Sequence, residues 1–142
     1  MQEALNQARL AWQKDEVPIG AIIVQNQQII AKAYNKTRTS HSAINHAEII
    51  AINEASKILQ NERLINCDLY VTKEPCAMCA GAIIHARIAN LFIGARDYKF
   101  GACGTVLSVC GNERLNHLPQ ISFGLLENEA IELLQSFFKN KR

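Results

Sequence analysis

Four residues of this chain have the types and spacing to do chemistry together: His46 and Glu48 in NHAEI, and Cys76 and Cys79 in EPCAMCAGAI. Two cysteines three positions apart can close a redox disulfide, hold a metal or fill a core. His46 added to the pair makes one nitrogen and two sulfur donors, a set that zinc takes. Structural zinc sites are usually closed by four protein ligands, whereas three leave a position for water, whose pKa the metal lowers from 15.7 to about 7. In a closed site Cys103 or Cys110 would be the fourth ligand. Glu48, two residues beyond His46, suits proton transfer to and from that water better than ligation. Its plain alternative is a helix-start carboxylate favoured by the dipole, worth only about 0.3–1 kcal/mol. These residues alone therefore support a zinc hydrolase with an adjacent carboxylate, or a zinc-stabilised binding module without catalysis.

Helix N-termini are good places for such ligands, because unpaired N–H groups and the positive end of the dipole favour thiolates. Pro75 fits the turn into a helix, with its fixed φ and missing N–H. The rest of the pattern supplies the scaffold. Leu5, Ala8 and Trp12 recur at near-helical spacing, which predicts a helix over 2–14. VPIGAIIVQNQQIIAKAYN gives two β-rich runs around Asn26-Gln27, a hairpin signal. NKTRTSHSAI is polar and loop-like. HAEIIAINEASKIL predicts a helix with Ala47, Ile50, Ala51, Ile58 and Leu59 as its buried stripe. DLYVT at 68–72 and LFIGA at 91–95 are buried-type strands flanking the helix of PCAMCAGAIIHARI. QISFG is a short strand, and ENEAIELLQSFFKN a last helix with Ile131, Leu134 and Phe138 on one side. Strands alternating with helices predict a three-layer α/β/α domain around a mixed, mainly parallel five-stranded sheet, covered on both faces.

The 142 residues, 49% hydrophobic and 20% charged, suit one globular domain over 1–142 and not a disordered chain. No apolar run approaches the ~18 residues that span a bilayer. The opening MQEALNQARLAWQKDE carries acids early and lacks a long apolar core, unlike a secretory signal. With five cysteines, an odd number, the expectation is a reducing cytoplasm and no disulfide framework. A net charge of +2 is too small to argue for nucleic acid by itself.

H-x-E followed by P-C-x-x-C is the signature of the zinc nucleobase deaminases. Beyond it the chain resembles the bacterial TadA-type tRNA adenosine deaminases over nearly its whole length. The matching stretches are EVPIGAIIV, the Asn of AYN, NHAEI, RLINCDLYVTKEPCAMCAGAIIHARI, GARDYKFGACGT, LNH and the late FFK. The resemblance implies a cytidine-deaminase-like fold and one zinc per subunit on His46, Cys76 and Cys79. It also implies conversion of wobble-position adenosine to inosine with Glu48 moving the proton, and a homodimer whose subunits both help to bind the tRNA anticodon stem-loop. Carried over by position, Asn35 hydrogen-bonds the target base, the Ala47 amide meets its ring edge, and Asp97 and Lys99 lie beside the flipped nucleotide. Arg63, Asn116 and Phe138 fall at anticodon-loop contacts, and Lys139, Lys141 and Arg142 add charge. Phe138 also fits the core stripe of its helix, and Arg63 and Lys99 also read as surface charges. A deaminase of free guanine, cytosine or a nucleoside shares the zinc motif and is the alternative substrate class. Three departures stand out: HSAIN ahead of the histidine, Thr37 where some relatives place arginine, and Lys73 where leucine is usual.

Overall fold

A computed structural model describes residues 1–141; Arg142 lies outside the described residues. The order is α1 (Gln2–Gln13), β1 (Gly20–Gln25), β2 (Gln28–Tyr34), α2 (Ala47–Leu59), β3 (Cys67–Lys73), α3 (Ala77–His85), β4 (Asn90–Ala95), β5 (Gln120–Phe123) and α4 (Glu127–Asn140). The five strands lie in the order β2-β1-β3-β4-β5. The hairpin turns at Asn26 and Gln27, with φ of 51° and 64°. Positive φ at both central residues matches the right-handed twist of the strands.

The sheet is mixed, as expected. β3 pairs with β4 and β4 with β5 in parallel, while β1 runs antiparallel to both β2 and β3. Four strands thus share one direction, and β1 alone is reversed. The extra antiparallel pair, β1 with β3, was not visible in the pattern, because pairing of distant strands leaves no local periodicity.

Helices cover both faces. α2 and α3 press Ala47, Ala51, Ala55, Ala80 and Ile83 onto Ile23, Leu69, Val71, Leu91 and Ile93 of the sheet. On the other face Leu5 of α1, Ala95 of β4 and Ala130 of α4 form a second, smaller cluster. α1 crosses the start of β1 so closely that a Cβ on Gly20 would stand 1.9 Å from the Ala4 carbonyl oxygen. Only glycine lets those two backbones meet. Trp12 packs edge-on against Phe137, with ring centroids 5.3 Å apart.

Two expected stripes differ in detail. In α2 the buried residues are Ala47, Glu48, Ala51, Ile52 and Ala55, while Ile58 is 60% exposed. Leu59, the last residue of the helix, still packs against the core, so Ile58 is bare because it lies off the buried face. In α4 the core faces are Ala130 and Phe137, and Phe138 points out at 45% exposure. Ile131 packs against the second cluster as expected; the departure is at Phe138, because Trp12 takes Phe137 as its partner. Among the described residues no helix is long and apolar enough to cross a membrane.

Candidate active site

His46 and Cys76 are the N-caps of α2 and α3, both with extended backbone and neither bonding its own helix with its side chain. That leaves the first-turn N–H groups of two helices, and the positive ends of two dipoles, at one place. Cys79, three positions past Cys76, sits one turn along the same helix and reaches the same point. His46 Nδ1 lies 3.7 Å from the Cys76 sulfur and 3.5 Å from the Cys79 sulfur. A tetrahedral centre with bonds of about 2.3 Å to sulfur and about 2.05 Å to nitrogen has S···N edges near 3.6 Å. The three donor atoms, all within 4.8 Å of one another, therefore already have the spacing of a zinc shell.

The charges agree. The hydrogen bond with Cys79 brings the Cys76 thiol down to about 4, with His46 and the Cys79 N–H acting in the same direction against burial. Cys79 is pushed up, first by sharing that hydrogen bond and then by burial. His46 is raised, chiefly by its hydrogen bond with Cys76. The downward shift of Cys76 favours its thiolate, the form in which a divalent cation would be bound.

Glu48, the second residue of α2, lies in its first turn and is 4% exposed. Burial raises its carboxyl, against the opposing pull of its own backbone N–H and, less, of His46. A carboxyl destabilised as an anion is suited to holding and returning a proton. His46, Glu48 and Cys76 open on one cavity of about 350 Å³, whose other walls are Ile19, Lys73, Glu74, Asp97 and Phe100. This volume is in the range of small-molecule sites, and the cavity lies beyond the carboxyl ends of β3 and β4.

The remaining expected residues divide into two groups. Asp97 lines the cavity, pairs with Lys73 at 3.0 Å, and accepts hydrogen bonds from the Lys99 and Phe100 N–H groups. Burial pushes Asp97 up, but those donors outweigh it and the net shift is downward. Ala47 is fully buried in the first turn of α2. Asn35 is 5% exposed, and its N–H donates to the carbonyl of Ile19, a wall of the cavity. Lys99 is exposed on the neighbouring loop. Phe138 lines a second groove with Lys73, Arg96 and Tyr98, so Lys73 is the wall common to both.

Arg63 and Asn116 are elsewhere. Arg63 lines a different cavity with Arg87 and His117, and the Asn116 carbonyl accepts from Arg87 at 2.9 Å. Both sit before the N-terminal ends of β3 and β5, whereas the donor group lies past the C-terminal end of β3. The seven residues of β3 separate the two ends by about 20 Å at roughly 3.3 Å per residue. Cys103 and Cys110 turn to each other, sulfurs 3.3 Å apart, and do not join the His46 group. No fourth protein ligand closes the shell among the described residues, which speaks against the purely structural zinc site. Cys67 is core, as expected.

Sequence reasoning missed two buried carboxylates that hold the loops of the site. Glu74, 3% exposed, accepts from the N–H groups of Asp97, Cys103 and Thr105 and from the Thr105 hydroxyl. Glu16, fully buried, accepts from the N–H groups of Arg38 and Thr39 and from the Thr37 hydroxyl. Thr37 and the HSAIN segment thus close a loop of their own, completed by Lys36 N–H to the Asn45 carbonyl at 3.0 Å. The available signal was a glutamate directly before an apolar stretch and another directly before Pro75.

A family model described as MafB19-like deaminase matches residues 1–142. The chain is 48% identical to a tRNA-specific adenosine deaminase of Rickettsia bellii, over all of this chain and 99% of that protein. It is 44% identical to the tRNA-specific adenosine deaminase of Bacillus subtilis, over all of this chain and 88% of that protein. A solved structure from studies of A-to-I editing by tRNA:A34 deaminases at the wobble position is similar with a TM-score of 0.91 and 45% identity, covering 94% of this chain and 97% of that one. The guanine deaminase of Bacillus subtilis is similar at a TM-score of 0.66 and 29% identity, covering 97% of this chain and 90% of that one.

Proposed function

The chain belongs to the MafB19-like deaminase family, and on that premise we propose that it is a tRNA-specific adenosine deaminase, converting wobble-position adenosine to inosine in the anticodon loop. The observation that carries this is the joint presence of a three-donor metal group and the buried carboxylate of Glu48 in one cavity, in a chain 48% identical end to end to a protein of that activity.

His46, Cys76 and Cys79 would hold zinc, and their donor spacing fits it. Zinc bound there supplies Lewis-acid activation of a water molecule. Glu48 accepts the proton of the attacking water, returns it to N1 of the adenine as C6 is attacked, and assists departure of the amino group as ammonia. Adenosine and water thereby give inosine and ammonia. Asn35 and the Ala47 N–H orient the base, while Ile19 walls the cavity that receives it. Asp97 and Lys99 lie where the flipped nucleotide meets its neighbours. The target must leave its stack, at a cost of a few kcal/mol that an unpaired anticodon loop keeps low.

The protein acts as a single zinc-dependent deaminase domain over 1–142, in the cytoplasm with its tRNA, and as a homodimer. Arg63 and Asn116, at the far end of the sheet, would meet RNA bound at the partner's cavity and not at their own. The test is competition at fixed salt between an anticodon stem-loop with wobble adenosine and free adenosine, cytidine or guanine. The stem-loop should be strongly preferred. Comparable turnover of a free nucleobase would transfer the assignment to the metabolic deaminases.

A further inference from the structure

The loop after β4 reads ARDYKFG, and its two aromatic rings face solvent: Tyr98 is 78% exposed and Phe100 69%. Two exposed rings side by side at the rim of a cavity are the kind of surface a ligand can cover. The loop beneath them is stiff. Asp97 Oδ1 accepts from the Lys99 N–H at 2.9 Å and the Phe100 N–H at 3.1 Å. The Gly101 N–H donates to the Asp97 carbonyl at 3.0 Å, and the Ala102 N–H to the Pro75 carbonyl at 2.8 Å. A Cβ on Gly101 would fall 2.4 Å from a Glu74 carboxylate oxygen, so only glycine admits this path. The rings are thereby fixed to the same segment that carries Cys76.

Their places differ in a useful way. Phe100 is a wall of the catalytic cavity. Tyr98 lines the next groove, of about 330 Å³, with Lys73, Arg96 and Phe138. Lys73 borders both spaces. Arg96 is held over the Phe123 ring at 3.9 Å and against the Thr105 hydroxyl at 3.2 Å. Two outward rings, on either side of exposed Lys99 and with two further cations at their base, have the composition of a platform for single-stranded nucleic acid.

Resting on the function proposed above, we propose that Phe100 and Tyr98 stack on the two nucleotide bases next to the target adenosine on one side. Phe100 takes the base at the mouth of the cavity and Tyr98 the next one, in the groove toward α4. Lys99 and Arg96 neutralise the phosphates between, Lys73 being paired with Asp97. The rings would set how strongly the enzyme prefers an adenosine within a loop over the same base alone.

The test is a coupling experiment on the zinc-loaded full chain. Stem-loops carry wobble adenosine and an abasic residue at one or two positions to either side. The enzymes are the parent, Phe100→Ala, Phe100→Leu, Phe100→Tyr and Tyr98→Ala. Ring removal should lower kcat/KM on the intact loop about ten-fold, mainly through KM, within the range for loss of one base stack. An abasic residue on the stacking side should cost the parent a similar factor and cost the matching alanine variant little more. Phe100→Tyr should restore what Phe100→Leu does not, since bulk alone would be satisfied by leucine. Independent, multiplicative losses at every flanking position would overturn the inference, as would unchanged kinetics or a change in oligomeric state in place of the coupling. A parent that makes inosine in the intact loop while the variants match it refutes the platform alone. A parent inactive on the loop refutes the deaminase assignment and the platform with it.

Discussion

Replacing Glu74 by glutamine tests whether a buried carboxylate holds the active-site loop. The side chain is 3% exposed, with the Asp97 N–H 3.3 Å from Oε1 and the Cys103 and Thr105 N–H groups 3.1 and 3.2 Å from Oε2. A glutamine can keep its carbonyl on the Oε2 side and retain the last two bonds. Its amide then donates to the Thr105 hydroxyl, which can reverse its role. The Asp97 N–H is left facing a donor, and one buried unpaired group costs about 1–3 kcal/mol. Glu74→Ala strips all three backbone donors and should cost more, about 3–5 kcal/mol, against a total stability of about 5–15 kcal/mol. Urea titration of the zinc-loaded protein measures the loss, and amide hydrogen exchange locates it at Asp97, Cys103 and Thr105. Because Asp97 and Phe100 line the cavity, kcat/KM on the stem-loop should fall about ten-fold for each ~1.4 kcal/mol by which the loop opens. A glutamine variant with the parent's stability, exchange and kinetics would refute the anchoring role.

Glu48→Ala should keep its fold and its zinc by metal analysis, yet lose about 10²–10⁴-fold or more in deamination, since it removes proton transfer and no ligand. Near-parent turnover would sink that assignment. Cys76→Ala should lose zinc and thermal stability together, and chelation of the parent should do the same, because metal binding and folding are linked. X-ray absorption on the parent should show one nitrogen and two sulfur ligands plus an exchangeable oxygen, and four protein ligands would contradict it. Glu16 gives a pH effect: burial pushes its carboxyl up, but the N–H groups of Thr39 and Arg38 and the Thr37 hydroxyl outweigh this and the net shift is below 4.5. A carboxyl lowered by folding stabilises above its unfolded pKa and ceases to as pH falls through its folded one. Urea midpoints of the parent should therefore drop below about pH 4.5 more steeply than those of Glu16→Gln, and equal slopes would exclude the effect.

The group of His46, Cys76 and Cys79 was legible in the sequence because its geometry is local. Cys76 and Cys79 are three apart at a helix start, and His46 begins another helix, so residue type and spacing nearly specify the ligand atoms. The hairpin at Asn26-Gln27 and the presence and order of the helices were legible for the same reason, since periodicity and turn chemistry act within a few residues, although α3 stops at His85 and not at the expected Ile88. Tertiary structure alone decided which partners distant groups find. It set β1 between β2 and β3, turned Phe137 inward against Trp12 and left Phe138 outside. It paired Lys73 with Asp97, and it placed Arg63 and Asn116 at the far end of the sheet from the metal donors. Glu16 and Glu74 show the physical reason most clearly. A glutamate in a sequence reads as a surface charge, and becomes an internal anchor only where the fold brings backbone N–H groups from remote loops around it and removes water.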